Sequence, residues 1–183
     1  MIIRDYQSGK GGAMKSLDVA NYLIDQYGGS VEMTNLKLNK LVYLAQAVSL
    51  RQYGTPLFDD VIQAWDYGPV EPLVYRTFQS YGSGVISRPS GKFQSSDQLS
   101  QIAAVVMEKF GSLTAFDLVR LTHRDGAAWK MVHVPKANNV ITSEHILSSD
   151  DGKTENVQTG TLAEGIRQVN QSWPNAMRML EDS

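Results

Sequence analysis

The sequence stretch closest to a catalytic motif lies near the start of the chain, where Gly9 to Ser16 reads Gly-Lys-Gly-Gly-Ala-Met-Lys-Ser. A phosphate-binding loop has the form Gly-x-x-x-x-Gly-Lys-Ser, and its glycines let backbone amides close around a phosphate. Met14 stands where the second glycine is required. No later segment combines several hydrophobic residues with a metal-binding aspartate. We therefore interpret residues 1–13 as a flexible N-terminal arm.

The three histidines, His123, His133 and His145, are the next candidates for chemistry. Zinc needs three or four converging ligands, which often include a helical pair four residues apart. These histidines are ten and twelve positions apart, the chain has no cysteine, and no His-Glu-x-x-His is present. The pattern favours structural or solvated histidines, and we predict that the protein has neither a metal site nor a cofactor.

Nucleophilic and acid–base catalysis are equally poorly supported. No Gly-x-Ser-x-Gly elbow frames a serine. The acidic pairs Asp59-Asp60 and Asp150-Asp151 lie in loop-like sequence, where solvation explains them better than paired carboxylate catalysis, which needs environments that separate two pKa values. The sequence therefore predicts a protein that is not an enzyme.

Binding to another protein is the alternative use of the polar and aromatic residues. Trp and Tyr provide rigid anchors at protein interfaces, especially beside cations. Each aromatic residue alone is more typical of a core. Two lysines and three aromatic residues together are our candidate for a partner-binding surface: Lys37, Lys40, Tyr43, Trp65 and Tyr67.

Length and composition indicate one globular domain. The chain has 183 residues, of which 42% are hydrophobic and 20% charged, so it can bury a core. Its net charge of -2 and interspersed cations argue against nucleic acid as the main partner. No signal peptide begins the chain and no apolar run is long enough to span a membrane. Together with the absence of cysteine, this predicts a cytoplasmic protein.

The elements that must position these residues are mainly helical. Periodicity predicts a helix capped by Ser16 and ended by Gly28-Gly29, with Leu17 and Tyr27 on its apolar face. A stronger helix covers Thr34 to Tyr53 and ends at Gly54. The neighbouring face of this helix carries Lys37 and Lys40, beside a mixed ridge that includes Tyr43.

The segment after this helix predicts a small β-hairpin or ribbon. Val61 to Trp65 reads as a strand, Tyr67-Gly68-Pro69 as a turn, and Val85-Ile86-Ser87 as the strand that pairs with the first. A helix restarts near Val70, with Glu71 and Pro72 in its first turn and an apolar side of Leu73, Val74, Phe78 and Tyr81.

The remaining chain predicts a mobile loop and further helices. Arg88 to Gln98 is rich in Ser, Gly and Pro. Four helical segments follow: one from Ser96 to Phe110 with Leu99, Ile102, Val106 and Phe110 inward, one behind the capping box of Thr114 and Asp117, and shorter ones over Ala127 to Val132 and Thr142 to Leu147. Leu162 to Leu180 reads as helical with a break at Pro174. We predict a mainly α fold of six to eight helices, with residues 14–183 forming one domain.

Several short motifs occur in a recognisable order over residues 17–135. They are Val19-Ala20-Asn21, Thr34 through Gln46, Tyr53-Gly54, Leu57-Phe58, Ala64-Trp65, Tyr67-Gly68-Pro69-Val70, Pro72, Val74-Tyr75, Tyr81-Gly82, and Leu121 through Trp129. Together they resemble the Panacea domain, the SocA- and GepA-like group. The sequence departs from that pattern at Asn39, Asp125 and Ala128, where the group usually has Gln, Glu and Pro.

The resemblance implies an antitoxin of a bacterial, phage or prophage toxin–antitoxin pair, which neutralises a toxin encoded by a neighbouring gene by binding it directly. Two alternatives stay open: a proteolytic adaptor that delivers its bound toxin to a Clp-type protease, and a phage protein that binds a host factor. Because the domain pairs with unrelated toxins, the resemblance leaves the toxin class and the oligomeric state open, and translation could begin at Met1 or Met14.

Overall fold

The computed structural model describes residues 14–153 and has a mainly α architecture with one small sheet, as predicted. In chain order the elements are α1 (Ser16–Tyr27), α2 (Asn35–Tyr53), β1 (Ile62–Trp65), β2 (Gly68–Val70), α3 (Pro72–Phe78), a 3-10 turn (Gln79–Tyr81), α4 (Asp97–Phe110), α5 (Ala115–His123), α6 (Ala128–Val132), β3 (Asn139–Ile141) and α7 (Ser143–Ser148). The predicted N-terminal arm and the predicted helix over Leu162 to Leu180 lie outside the described residues.

Helix α2 is the centre of the fold. It packs against α1, α3, α4, α5, α7 and β2, and 15 of its 19 residues are buried, so it is enclosed on nearly every side. Thr34 caps its start by accepting from the Lys37 amide, and Gly54 ends it in a left-handed conformation at φ 70°. Burying each large apolar side chain along it contributes about 1.5–3 kcal/mol.

The surrounding helices follow their local signals. Ser96 caps α4, whose Leu99, Ile102, Val106 and Phe110 are buried as predicted. Thr114 and Asp117 form the predicted capping box of α5.

The structure corrects the predictions for α1 and α3. Ser16 does not cap α1, because Lys15 occupies the cap position and the Ser16 hydroxyl donates to Glu71 Oε2 at 2.8 Å. Leu17 and Tyr27 are partly buried and pack against the core, as predicted for the apolar face of α1. In α3, Val74 and Phe78 are buried but Leu73 is exposed, since α3 packs through one narrow face.

The sheet is antiparallel with strand order β2-β1-β3. The predicted first strand is confirmed, but its predicted partner is wrong. Gly68–Val70 pairs with β1 through a two-residue loop, whereas Val85 makes an isolated bridge to Thr34. Pro69 lacks an amide hydrogen but is tolerated because β2 is an edge strand. The third strand, β3, was not predicted.

The predicted mobile loop from Arg88 to Gln98 is irregular over residues 88–96, and its backbone contacts α1. Asn21 Oδ1 accepts from the Ser90 amide at 2.9 Å, and Asp18 Oδ1 accepts from the Gln94 amide at 2.9 Å. The Phe93 ring packs edge-on against Tyr22. Through these contacts the loop packs against α1.

Candidate partner-binding site

The β1–β2 hairpin presents the aromatic residues that the sequence singled out. Trp65 pairs with Gly68, which leaves Asp66 and Tyr67 as the loop, here called the hairpin tip. Gly68 has φ 107°, and a Cβ there would lie 2.7 Å from Lys40 Cε. Glycine is therefore required, because the chain turns sharply against α2 with no room for a side chain.

Helices α5 and α6 hold the hairpin tip in place. Trp129 Nε1 donates to the Trp65 carbonyl at 2.7 Å. His133 Nε2 lies 3.0 Å from Asp66 Oδ1, and His123 Nε2 lies 3.3 Å from the Asp66 carbonyl. Three rings on two helices thus converge on a two-residue loop, so its conformation is fixed by tertiary contacts.

The three rings also stack on one another. The Trp129 ring lies between His123, with ring centroids 3.7 Å apart, and His133, with centroids 4.1 Å apart. Burial lowers the pKa of His123 to about 4, so its imidazole is neutral at neutral pH. The hydrogen bond from His133 lowers the pKa of Asp66, which keeps that carboxylate ionised. Both histidines make contacts within the fold, which agrees with the structural one of the two predicted alternatives.

An apolar surface extends from the hairpin tip across the sheet. Along β1 the side chains alternate: Ile62 and Ala64 are buried, while Val61, Gln63 and Trp65 face outward. Val140 of β3 is opposite Gln63 and is exposed. We call Val61, Gln63, Trp65 and Val140 the outer sheet face. Trp65 is oriented within it, because its indole donates to Gln63 Oε1 at 2.8 Å and its ring contacts Tyr75.

The structure separates the five predicted partner-binding residues. Trp65 and Tyr67 are partly exposed at the hairpin and stay candidates. Lys37, Lys40 and Tyr43 are buried, so the prediction that they belong to an exposed surface is corrected. The physical reason is that α2 has neighbours on nearly every side, so the face assigned to solvent is covered by β2, α4, α5 and α7.

Each of the three buried residues has a specific partner. Lys40 Nζ donates to the Pro69 carbonyl at 3.0 Å, and burial lowers the pKa of Lys40 to about 7. Lys37 Nζ donates to the Gly111 carbonyl at 2.8 Å, and burial lowers its pKa too. The Tyr43 hydroxyl donates to Asp151 Oδ2 at 2.6 Å. Their polar groups therefore join α2 to its neighbours.

Asp151 is the residue that sequence reasoning missed. It was interpreted as solvated, but only 1% of its surface is exposed. Its Oδ2 accepts from Tyr43 and from the Ala128 amide at 2.9 Å. Burial raises the pKa of Asp151, against the effect of these hydrogen bonds. The pair Asp150-Asp151 gives no local signal of this, because both partners are distant in sequence.

Other candidate chemistry can be placed within residues 14–153. Over that range, no three His, Cys, Asp or Glu side chains converge to hold a metal ion, and no helix is long and apolar enough to cross a membrane. Of the phosphate-loop-like segment, Gly9 to Ala13 lies outside the described residues. The Ser16 amide, at its other end, donates to Asp60 Oδ2 at 2.6 Å, so this amide is already paired with a carboxylate.

An open cleft of about 790 Å³ lies between the ends of α1, α2, α4 and α5. Its lining is mixed: Tyr27, Val31, Met107 and Leu113 are apolar, Lys37 is cationic, and Glu32 and Glu108 are acidic. The lining carries charges of both signs, so it does not favour one class of ligand. None of the hairpin residues lines this cleft.

The chain is similar to known proteins over a part that contains the hairpin and the start of α6. A family model described as "Antitoxin SocA-like, Panacea domain" matches residues 38–130, a range that includes the hairpin and reaches Trp129. The curated protein "Antitoxin SocA" of Caulobacter vibrioides (strain NA1000 / CB15N) is 31% identical over 131 residues, covering 62% of this chain and 68% of that protein. No solved structure matches the chain.

Proposed function

The chain belongs to the SocA-like, Panacea-domain antitoxin family, and we propose that it neutralises a cognate protein toxin by binding it directly. Family membership is the observation that carries this proposal, because it supports an antitoxin role independently of any surface. Direct binding requires an interface with a few rigid anchors and needs no catalytic group.

The outer sheet face and the hairpin tip are the surface that we propose for toxin binding. Trp65 supports this choice because its ring is already held by Gln63 and Tyr75 and would lose little conformational freedom on binding. Tyr67 lies beside it on a loop fixed by α5 and α6. Val61 and Val140 extend the surface with exposed apolar area, 51% and 47% exposed.

The first experiment tests toxin neutralisation. The chain is co-expressed with the product of the adjacent gene in a heterologous bacterium. We expect relief of growth inhibition and co-purification of the two proteins. Absence of both would contradict the antitoxin proposal. Measuring the toxin level in the presence and absence of a Clp-type protease separates masking from delivery: masking leaves the toxin level unchanged, whereas an adaptor lowers it only when the protease is present.

The second experiment tests the surface with matched variants. Val61→Glu and Val140→Glu place carboxylates on the outer sheet face without disturbing a buried contact. Val85→Glu is the control, since Val85 is 45% exposed but lies beside Thr34 at the start of α2. We expect the first two substitutions to weaken toxin binding by about tenfold or more, because an unpaired charge would be desolvated. Equal effects of all three would contradict this surface.

A further inference from the structure

Helix α6 contacts the hairpin tip through Trp129 and His133. The sequence of α6 alone contributes little to the stability of this helix. It has five residues, and isolated helices of that length do not form in water. Its N-cap residue is Ala127, whose methyl side chain cannot accept a hydrogen bond from the first turn. The position of α6 must therefore be fixed from outside.

Asp151 provides the missing cap from 23 residues further along the chain. Its Oδ2 accepts from the amide of Ala128, the first residue of α6, and a carboxylate at that end also favours the helix dipole. The same oxygen accepts from the Tyr43 hydroxyl, which ties the cap to α2.

The segment that carries Asp151 is itself rigidly placed. Arg51 Nε donates to the Asp151 carbonyl at 2.6 Å. The neighbouring Asp150 amide donates to the Gly126 carbonyl at 2.9 Å. Gly152 follows at φ 69°, and a Cβ there would lie 2.8 Å from Ala47 Cβ. The backbone of residues 150–152 is thus pressed against α2 and the loop before α6.

From Ala128 the contacts lead directly to the hairpin. The next residue, Trp129, donates to the Trp65 carbonyl, and His133 at the end of α6 contacts Asp66. A displacement at the start of α6 would therefore move both groups that hold the hairpin tip.

We infer that Asp151 is a positioning residue for the hairpin tip: by capping α6 from the C-terminal side of the fold, it sets the place of Trp129 and His133. Its relevance to toxin recognition rests on the proposed function. Asp151 Oδ1 has no hydrogen-bond partner among the described residues. A buried, half-satisfied carboxylate is a poor stabiliser of a core, so a positioning role explains its presence better than packing does.

The test compares two substitutions at the same position. Asp151→Ala removes the acceptor, whereas in Asp151→Asn the amide oxygen can still accept from Ala128 and Tyr43. We measure hydrogen exchange by NMR at the Trp129 indole and at the β1 and β2 amides, relative to global unfolding. For Asp151→Ala we expect roughly tenfold faster local exchange, equivalent to about 1.4 kcal/mol. For Asp151→Asn we expect exchange within about twofold of the parent protein.

Tyr43→Phe is the matched control, because it removes a hydrogen bond to the same carboxylate but keeps the cap. It should lower global stability without selective acceleration at the hairpin. The positioning role would be overturned if Asp151→Ala accelerated hydrogen exchange uniformly over the protein. It would also be overturned if Tyr43→Phe accelerated exchange selectively at the hairpin. If Asp151→Ala does not fold, Ala128→Pro removes the donor instead, at a first helical position that tolerates proline, although its ring also adds volume at a residue that is 0% exposed. Unchanged local exchange in that variant would also overturn the inference.

Toxin binding is measured separately on the same variants. Local acceleration together with at least fivefold weaker toxin binding upholds the positioning role and its link to recognition. Local acceleration with unchanged binding upholds the positioning role but contradicts the placement of the toxin on the hairpin. The two proposals therefore fail independently.

Discussion

Lys40 is completely buried, and its ammonium donates to the Pro69 carbonyl. Its side chain lies beside Gly68, Thr122 and His123. Because the folded pKa of about 7 is below the ordinary value of 10.5, the unfolded state binds a proton more readily over the pH range between them. Lys40 therefore reduces the free energy of unfolding as the pH falls from about 10.5 to about 7, and its effect is constant below that.

Replacing this residue should change the pH dependence of stability. In Lys40→Met the flexible apolar side chain fills a similar volume but cannot be protonated. Between about pH 9.5 and about pH 6 we expect the free energy of unfolding of the variant to gain about 2–4 kcal/mol relative to the parent protein. Urea denaturation at these two pH values measures the difference.

The control for this prediction is Lys92→Met, which removes an exposed lysine from the loop after Arg88. It should follow the parent protein at both pH values. Burial lowers the pKa of His123 to about 4 in the folded parent protein, below the pH range compared, so its imidazole stays neutral in the folded state there. If the free energies of unfolding of Lys40→Met and the parent protein differ by the same amount at both pH values, a buried amine that titrates in this range is contradicted.

The residue scale is also where sequence reasoning was least successful. Lys37, Lys40 and Tyr43 have the spacing of a solvated face, and helical periodicity cannot tell such a face from one covered by other elements. Their burial depends on β2, α4, α5 and α7 packing around α2, which are contacts between distant parts of the chain. Trp65 and Tyr67, chosen as aromatic anchors, are partly exposed at the hairpin, and their role in partner binding stays a prediction.

Among the elements, those with local signals could be predicted and those with distant partners could not. Thr34, Ser96 and Thr114 cap their helices through bonds within four residues, so their sequence alone indicates the helix start. The pairing of β1 with β3 joins residues more than seventy positions apart, and no turn signal specifies it. The same distinction explains why α6 was found but the origin of its cap was not.

Arg51 is the element-scale contact for which we predict the largest effect on stability. Its guanidinium donates to the carbonyls of Ile146, Ser149 and Asp151, so one side chain of α2 holds the end of α7 and the segment after it. Arg51→Met should lower the free energy of unfolding by about 2–4 kcal/mol, because the carbonyls lose a charged donor. Arg51→Lys should lose less than Arg51→Met, because its ammonium can still donate to a carbonyl, but it should not restore the parent stability because it lacks the planar fork.

Urea denaturation gives the total loss, and hydrogen exchange locates it. The amides of α7 and residues 149–152 should exchange faster than those of α4, which Arg51 does not contact. Arg76→Met is the matched control, since Arg76 is exposed in the last turn of α3 and should change stability by less than about 0.5 kcal/mol. Similar losses in the free energy of unfolding for Arg51→Met and Arg76→Met would contradict a stabilising role for the Arg51 hydrogen bonds.

At the scale of the whole molecule, the buried polar groups and the proposed binding surface are connected. Lys40, Tyr43 and Arg51 project from one central helix to β2, to Asp151 and to the end of α7. Lys40 bonds the hairpin through Pro69, while Tyr43 and Arg51 bond Asp151, whose carboxylate also accepts from the first amide of α6. A polar network around α2 therefore supports the hairpin that carries the proposed binding surface.

This arrangement predicts that toxin binding depends only weakly on salt. The chain has 17 basic and 19 acidic residues, and the outer sheet face consists of Val61, Gln63, Trp65 and Val140. Salt screens charge pairs but not apolar burial. Between ~0.05 and ~0.5 M NaCl we expect the Kd for the purified toxin to change by less than about threefold, as measured by calorimetry. Val85→Glu, with an added charge away from the surface, should behave like the parent protein. A loss of affinity above about tenfold would indicate a charged interface and contradict this surface, while binding itself would still support the antitoxin function.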